Sequence, residues 1–283
     1  MVTGKSKSFE LIDESVKLQP NELKLFIEVE DAKLRFALLD ADADTLIAVA
    51  QETVHPLKSI QEIPPLLEQH KVVSRDFNAV NIALKSKKQC LVPLGFYLEG
   101  EEQTLFQKVH GTRPETLGVF DCTEAKAKII FERNIELEKV LLEMYPNAQF
   151  FLSEGLFIES LTHRNRFVQN PKLYIDIEEE YSHFYLFSKS GLLFSNRFDT
   201  QSDEDILYHA SNIAKQYEIE FKDLEVHFSG AWKINAPGVK LFKSYAQYVN
   251  VNMGIEYVKL AKALSPLRKQ HLMTLLNLVS CAS

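Results

Sequence analysis

The chain has 283 residues, of which 46% are hydrophobic and 25% charged, and it carries a formal net charge of −7. This is the composition of a globular protein long enough for two domains, and no stretch reaches the roughly 18 to 20 uninterrupted apolar residues of a membrane span. The acidic balance argues against a sequence-independent grip on nucleic acid, which needs a basic face to neutralise phosphates.

The N-terminal run MVTGKSKSFELIDESVK has neither the apolar core of a secretory signal nor the acid-poor character of a transit peptide, so a cytoplasmic protein without direct membrane insertion is expected. Within this leader Phe9, Leu11 and Ile12 suit an edge strand. Leu25 to Glu30 alternates apolar and polar side chains, Leu34 to Leu39 is mostly apolar, and Thr45 to Ala50 again reads as strand. Asp40, Asp42 and Asp44 fit the turn between the last two, which makes an antiparallel meander. A helical stretch over Ile60 to Gln69 follows, weakened by Pro64 and Pro65, and then a strand at Ala79 to Leu84. Further on, Asn134 is placed to cap a helix with Leu137, Val140, Leu141 and Met144 on one face, and Pro146 ends it. Ala148 to Leu152 reads as a buried strand, Leu156 to Leu161 as a short helix, and HRNRFVQNP as a linker.

The segment KLFIEVEDAKLRFALL from Lys24 returns without a gap as KLYIDIEEEYSHFYLF from Lys172, 148 positions later. Glu28 pairs with Asp176, Glu30 with Glu178, Arg35 with His183 and Phe36 with Phe184. The elements after Lys172 repeat the earlier order: strands at Leu173 to Ile177, Phe184 to Ser188 and Leu192 to Arg197, then a helix with Ile206, Ala210, Ile213, Ala214 and Tyr217 on one face. Ser202, followed by Asp203, Glu204 and Asp205, supplies its cap. A strand at Leu224 to Phe228 ends at Ser229 and Gly230. Two β-β-β-α-β units, over residues 1–167 and 168–283, are therefore predicted. From Tyr257 two helix-like runs separated at Ser265 and Pro266 cover the second unit or return to the first.

A duplicated β-β-β-α-β unit with an acid in its first strand resembles the ribonuclease-H-like fold of the actin, sugar-kinase and Hsp70 superfamily, an α/β architecture with a central cleft. More narrowly, the leader FELIDESV, KLFIEV, QCLVPLGFY, and the order from YIDIEEEYSHFYLF through FSGAW are similar to a bacterial family of unknown function with an actin-like ATPase fold. That family is itself similar to actin-like proteins of pilus assembly and type II secretion. The resemblance implies a first hairpin of the form DxGxxxT or DxGxxxS in each unit, with the aspartate organising magnesium and the glycine letting backbone N–H groups approach phosphates. Transferred to this chain, the aspartate positions are Glu28 and Asp176, Ser182 matches the second hydroxyl, and Gly230 stands for the adenosine-side glycines. The two phosphate-glycine positions hold Glu30 and Glu178. A carboxylate at about 4 Å from a phosphate charge, at an effective dielectric near 20, is repelled by roughly 4 kcal/mol, so these Mg-ATP positions are expected to be degenerate.

The remaining chemistry-bearing residues are sparse. The nuclease branch of this fold needs three carboxylates around two metal ions, whereas here Asp176 has only Glu204 for company and the fourth strands end at Leu84–Lys85 and Phe228–Ser229. Gly4, Lys5 and Ser6 spell the end of a P-loop without its first glycine or preceding strand. Cys90, Cys122 and Cys281 form no CxxC pair and are expected to be reduced and structural, with no zinc site. His110 and Cys122 have no orienting partner for nucleophilic catalysis. The short basic runs at Lys85, Lys87 and Lys88 and at His163, Arg164 and Arg166 read as solvated loop charge. His183 is expected to face solvent, and Trp232 to join the core. Two functions follow: a non-catalytic actin-like scaffold with a protein partner and no cofactor, which the missing glycines favour, or an ATPase or kinase-like enzyme that holds Mg-ATP weakly in an unconventional phosphate loop.

Overall fold

A computed structural model describes residues 8–15, 22–30, 33–53, 60–70, 73, 77, 79–251 and 258–282. Gly4, Lys5, Ser6 and Tyr257 lie outside the described residues. Strands β1 (Phe9–Ile12), β2 (Leu23–Val29), β3 (Lys33–Asp40) and β4 (Thr45–Thr53) come first. Then α1 (Ile63–Glu68) opens on Pro64 and Pro65, where a helix has no need of their missing N–H groups. β5 (Ala79–Leu84) runs parallel to β2, and β9 (Gln149–Leu152) parallel to β5.

The second half reproduces this plan in β10 (Lys172–Ile177), β11 (Tyr181–Ser188), β12 (Gly191–Asp199), α5 (Asp203–Gln216), β13 (Glu225–Gly230), α6 (Pro237–Lys243) and β14 (Tyr248–Asn250). Ser202 accepts a hydrogen bond from the Asp205 N–H while Asp205 reaches back to the Ser202 N–H, the reciprocal cap expected there. The sheet orders match: β4-β3-β2-β5-β9 in one half and β12-β11-β10-β13-β14 in the other. In each, three antiparallel strands are followed by two that lie parallel to the first.

Between β5 and α3 (Ile135–Met144) the first half carries an addition that the second lacks. Strands β6 (Gln89–Pro93), β7 (Leu117–Cys122) and β8 (Ala127–Glu132) form a separate sheet in the order β6-β8-β7, with α2 (Glu102–His110) packed on it. Cys90, Val92, Phe106 and Ile130 make its small core. Sequence reading assigned no element to this stretch. No counterpart in the second half marks its strands.

The chain divides into two compact units, and the division falls within α4 (Ser153–Arg164). One contains described residues 8–159, 258–267 and 274–282, the other 160–251 and 268–273. The C-terminal run thus returns in part to the first-half unit, where β15 (Lys259–Leu260) pairs with β4 at Thr45 and Leu46. α7 (Met273–Ala282) follows with a nearly continuous run of buried side chains. Each unit has its own apolar core, one around Leu25, Ile27, Phe36 and Ile82, the other around Leu173, Ile175, Phe184 and Phe228. Trp232 is in the second, against Phe228 and Phe242, as expected. Among the described residues no helix is long and apolar enough to cross a membrane.

Candidate functional site

The repeat places an acid and a base directly opposite each other in both first hairpins. Register pairs Glu28 with Arg35 across β2 and β3, and Asp176 with His183 across β10 and β11. Because β3 and β11 are inner strands, these side chains are buried. His183 therefore does not face solvent: it is 3% exposed, stacks on Tyr185 with ring centroids 4.4 Å apart, and its Nε2 lies 3.0 Å from Ser195 Oγ. A polar residue between strand-forming neighbours faces solvent only where one face of the sheet is open, and here it is covered.

In the first hairpin Arg35 joins both glutamates. Its Nη1 donates to Glu28 Oε2 at 3.0 Å and to Glu30 Oε1 at 2.9 Å, and its Nε donates to Gln51 Oε1 at 2.9 Å. Lys85, at the end of β5, adds an ammonium 2.8 Å from Glu30 Oε1. Burial pushes the Glu28 carboxyl up to about 7 against the pull of Arg35, and the charge of Glu30 adds to the rise. Burial also opposes ionisation of Glu30, yet Lys85, Arg35 and Lys33 outweigh it and hold Glu30 well below the usual carboxylate range. The two glutamates titrate as a pair: one fixed anion, and one carboxyl that holds a proton up to neutrality and can donate it to its neighbour.

In the second hairpin the Ser229 hydroxyl donates to Asp176 Oδ1, the two residues being opposite each other on β10 and β13. Ser182 Oγ lies 2.9 Å from Thr200 Oγ1, both buried. Glu178 is buried as well. One backbone hydrogen bond is common to the two hairpins: the Glu30 N–H donates to the Lys33 carbonyl and the Glu178 N–H to the Tyr181 carbonyl, each at 2.9 Å. At both positions where the resemblance implies glycine, the N–H is thus used inside the hairpin.

Gly230 has a local structural task. Its φ is +80°, and a Cβ there would run into the carbonyl of Ile177, the residue opposite on β10. The following N–H, of Ala231, donates to that same carbonyl at 2.7 Å. Among the described residues no group of three or more His, Cys, Asp or Glu side chains is placed to hold a metal ion. Cys122 is fully buried in β7, and burial pushes its thiol far up. His110, the last residue of α2, has Nε2 3.0 Å from the Gln89 carbonyl.

Arg35, Gln51, Lys85, Thr200 and Ser229 are members of these clusters that the sequence did not assign to the site. Hairpin symmetry is the signal that finds the first, since Glu28 and Arg35 are equidistant from the turn.

Solved structures resemble the chain over nearly its full length. A Bacteroides thetaiotaomicron VPI-5482 protein with an actin-like ATPase fold and unknown function matches with a TM-score of 0.78 and 20% identity, covering 93% of this chain and 97% of that one. A PilM–PilN type IV pilus biogenesis complex matches at 0.65 and 13% identity, covering 91% and 98%. The ethanolamine utilization protein EutJ from Carboxydothermus hydrogenoformans matches at 0.52 and 10%, covering 95% and 92%. These likenesses show the actin-like, duplicated ribonuclease-H-like fold. No curated protein matches the chain. With a family model matching residues 13–250, the chain belongs to the family described as "Protein of unknown function (DUF3822)".

Proposed function

We propose that the protein is a non-catalytic scaffold on an actin-like fold, which binds a partner protein and lacks a working magnesium–phosphate cradle. The observation that carries this reading is the state of the two glycine positions: both hold buried glutamates whose N–H groups close their own hairpins. A phosphate beside Glu30 would meet a fixed negative charge and would have to compete for Arg35 and Lys85, which already neutralise it. The aspartate positions fit a magnesium ion no better. Glu28 holds a proton up to neutral pH, and Asp176 is buried and bonded to Ser229.

A protein partner is the reading that remains for a fold kept without its phosphate chemistry. PilM, of the same fold, is solved in complex with PilN. Sheets that end in open strand edges can take up an extended peptide through main-chain hydrogen bonds, and β12 ends the second-half sheet in this way among the described residues. Cross-linking in cells followed by affinity purification, with and without Mg-ATP, tests the proposal. Recovery of one stoichiometric protein partner, unchanged by nucleotide, is expected. A partner that is held or released only with Mg-ATP would overturn the non-catalytic reading.

A further inference from the structure

Two turns hold large apolar side chains in solvent while fixing the backbone beneath them. In the turn after β6, the Leu94 N–H donates to the Lys126 carbonyl at 2.8 Å, the Tyr97 hydroxyl donates to the Glu102 carboxylate, and the Lys128 ammonium sits 4.8 Å from the centre of the Tyr97 ring. On this base Leu94, Phe96 and Leu98 are 54%, 77% and 67% exposed. The exposed residues that follow them, Glu99 and Glu101, give the turn an acidic rim.

The turn after α4 is fixed by Asn165. Its N–H and its side-chain amide both donate to the Leu161 carbonyl, at 3.0 and 2.7 Å, and its Oδ1 accepts from the Tyr174 hydroxyl at 3.0 Å. Phe167 is 89% exposed there, close in sequence to His163, Arg164 and Arg166. Its neighbour Val168 is buried, with its N–H on the Asn165 carbonyl.

A large apolar side chain in water is a cost that a chain can avoid by substitution, and holding it on an ordered turn prepares it for a contact by removing the entropy lost on binding. The two turns carry opposite charge. Like turns on two copies would repel, whereas unlike turns attract and exclude water around an aromatic anchor. We infer that the Phe167 turn of one copy docks on the Leu94–Leu98 turn of a second copy. Such a contact is heterologous, so association continues past the dimer unless the rotation between copies closes a ring. Two small turns bury little area, well under the roughly 1,200 Å² of stable interfaces, so the association is weak and reversible.

Sedimentation velocity of the whole chain, from micromolar to near-millimolar concentration, tests this. The weight-average mass is expected to rise with concentration. Phe96→Ala and Phe167→Ala, both at exposed positions, each weaken association by about tenfold without changing the circular dichroism spectrum. Glu99→Lys and Arg166→Glu each weaken it alone, and an equimolar mixture of the two recovers it, because each reversed rim then meets its opposite. A wild-type chain that stays monomeric throughout, alanine variants that associate like wild type, or a mixture that fails to recover would each overturn the inference. Self-association of this kind is independent of the phosphate positions: Mg-ATP binding would refute the scaffold role and leave this contact standing.

Discussion

Replacing Glu28 by glutamine gives a pH-dependent change in stability whose sign follows from the burial of its carboxyl group. In the folded protein Glu28 gives up its proton at about 7, against 4.5 for an unperturbed glutamate. Between those values the folded state keeps a proton that the unfolded chain has lost, so the Glu28 contribution is fully present below pH 4.5 and is lost as pH rises through 7. At about 1.4 kcal/mol per pH unit the loss across that window is roughly 3 kcal/mol. Glu30, held well below the usual range, titrates beneath this window and adds no slope to it. Glutamine resembles the protonated form, so Glu28→Gln should lie within about 1 kcal/mol of wild type near pH 4.5 and gain about 3 kcal/mol relative to it near pH 8. Urea titrations followed by far-ultraviolet circular dichroism measure the difference between the two proteins, in which the other titrating groups cancel. Hydrogen exchange of the β2 and β3 amides localises it. A difference that does not change with pH, or that moves against the variant as pH rises, would refute the buried-pair account.

Arg35→Met leaves Glu28 and Glu30 without the guanidinium that joins them, and a loss of about 3 to 5 kcal/mol near pH 8 is expected from the urea midpoint, shrinking in acid where Glu28 is neutral. Gly230→Ala forces a Cβ against the Ile177 carbonyl at positive φ and should cost at least about 2 kcal/mol, read by the fluorescence of buried Trp232; a cost below about 0.5 kcal/mol would contradict the close approach. Burial lowers His227 from 6.5 to about 4. The unfolded chain then binds a proton first, so this contribution is present above pH 6.5 and is lost as pH falls toward 4, by up to about 3 kcal/mol. His227→Phe should flatten that acid limb in a Trp232-monitored titration.

The duplicated plan was legible because a repeat of sixteen residues without a gap fixes two hairpins at once, and because α5 and α3 carry clear caps at Ser202 and Asn134. The added sheet of β6, β7 and β8 was not, since no repeat in the second half marks it and α2 buries only Phe106. α6 was hidden as well, being a helix of seven residues entered through Pro237. Sequence named Glu28, Asp176, Ser182 and Gly230 only as the positions the resemblance implies, and the hairpin register brings Arg35 and His183 to the first two. What sequence could not supply was which carboxylate each cation reaches. Lys85 read as solvated charge, yet it closes on Glu30 from the end of a parallel strand, a pairing that depends on the β2–β5 crossover rather than on local spacing.

Isothermal calorimetry of Mg-ATP against the purified chain tests the loss of the phosphate cradle most directly. No binding heat at micromolar to high-micromolar nucleotide is expected, with the same result for Asp176→Ala. Micromolar affinity in the wild-type chain that disappears in Asp176→Ala would contradict the account, because Asp176 would then be organising the magnesium ion that its bond to Ser229 is here taken to replace.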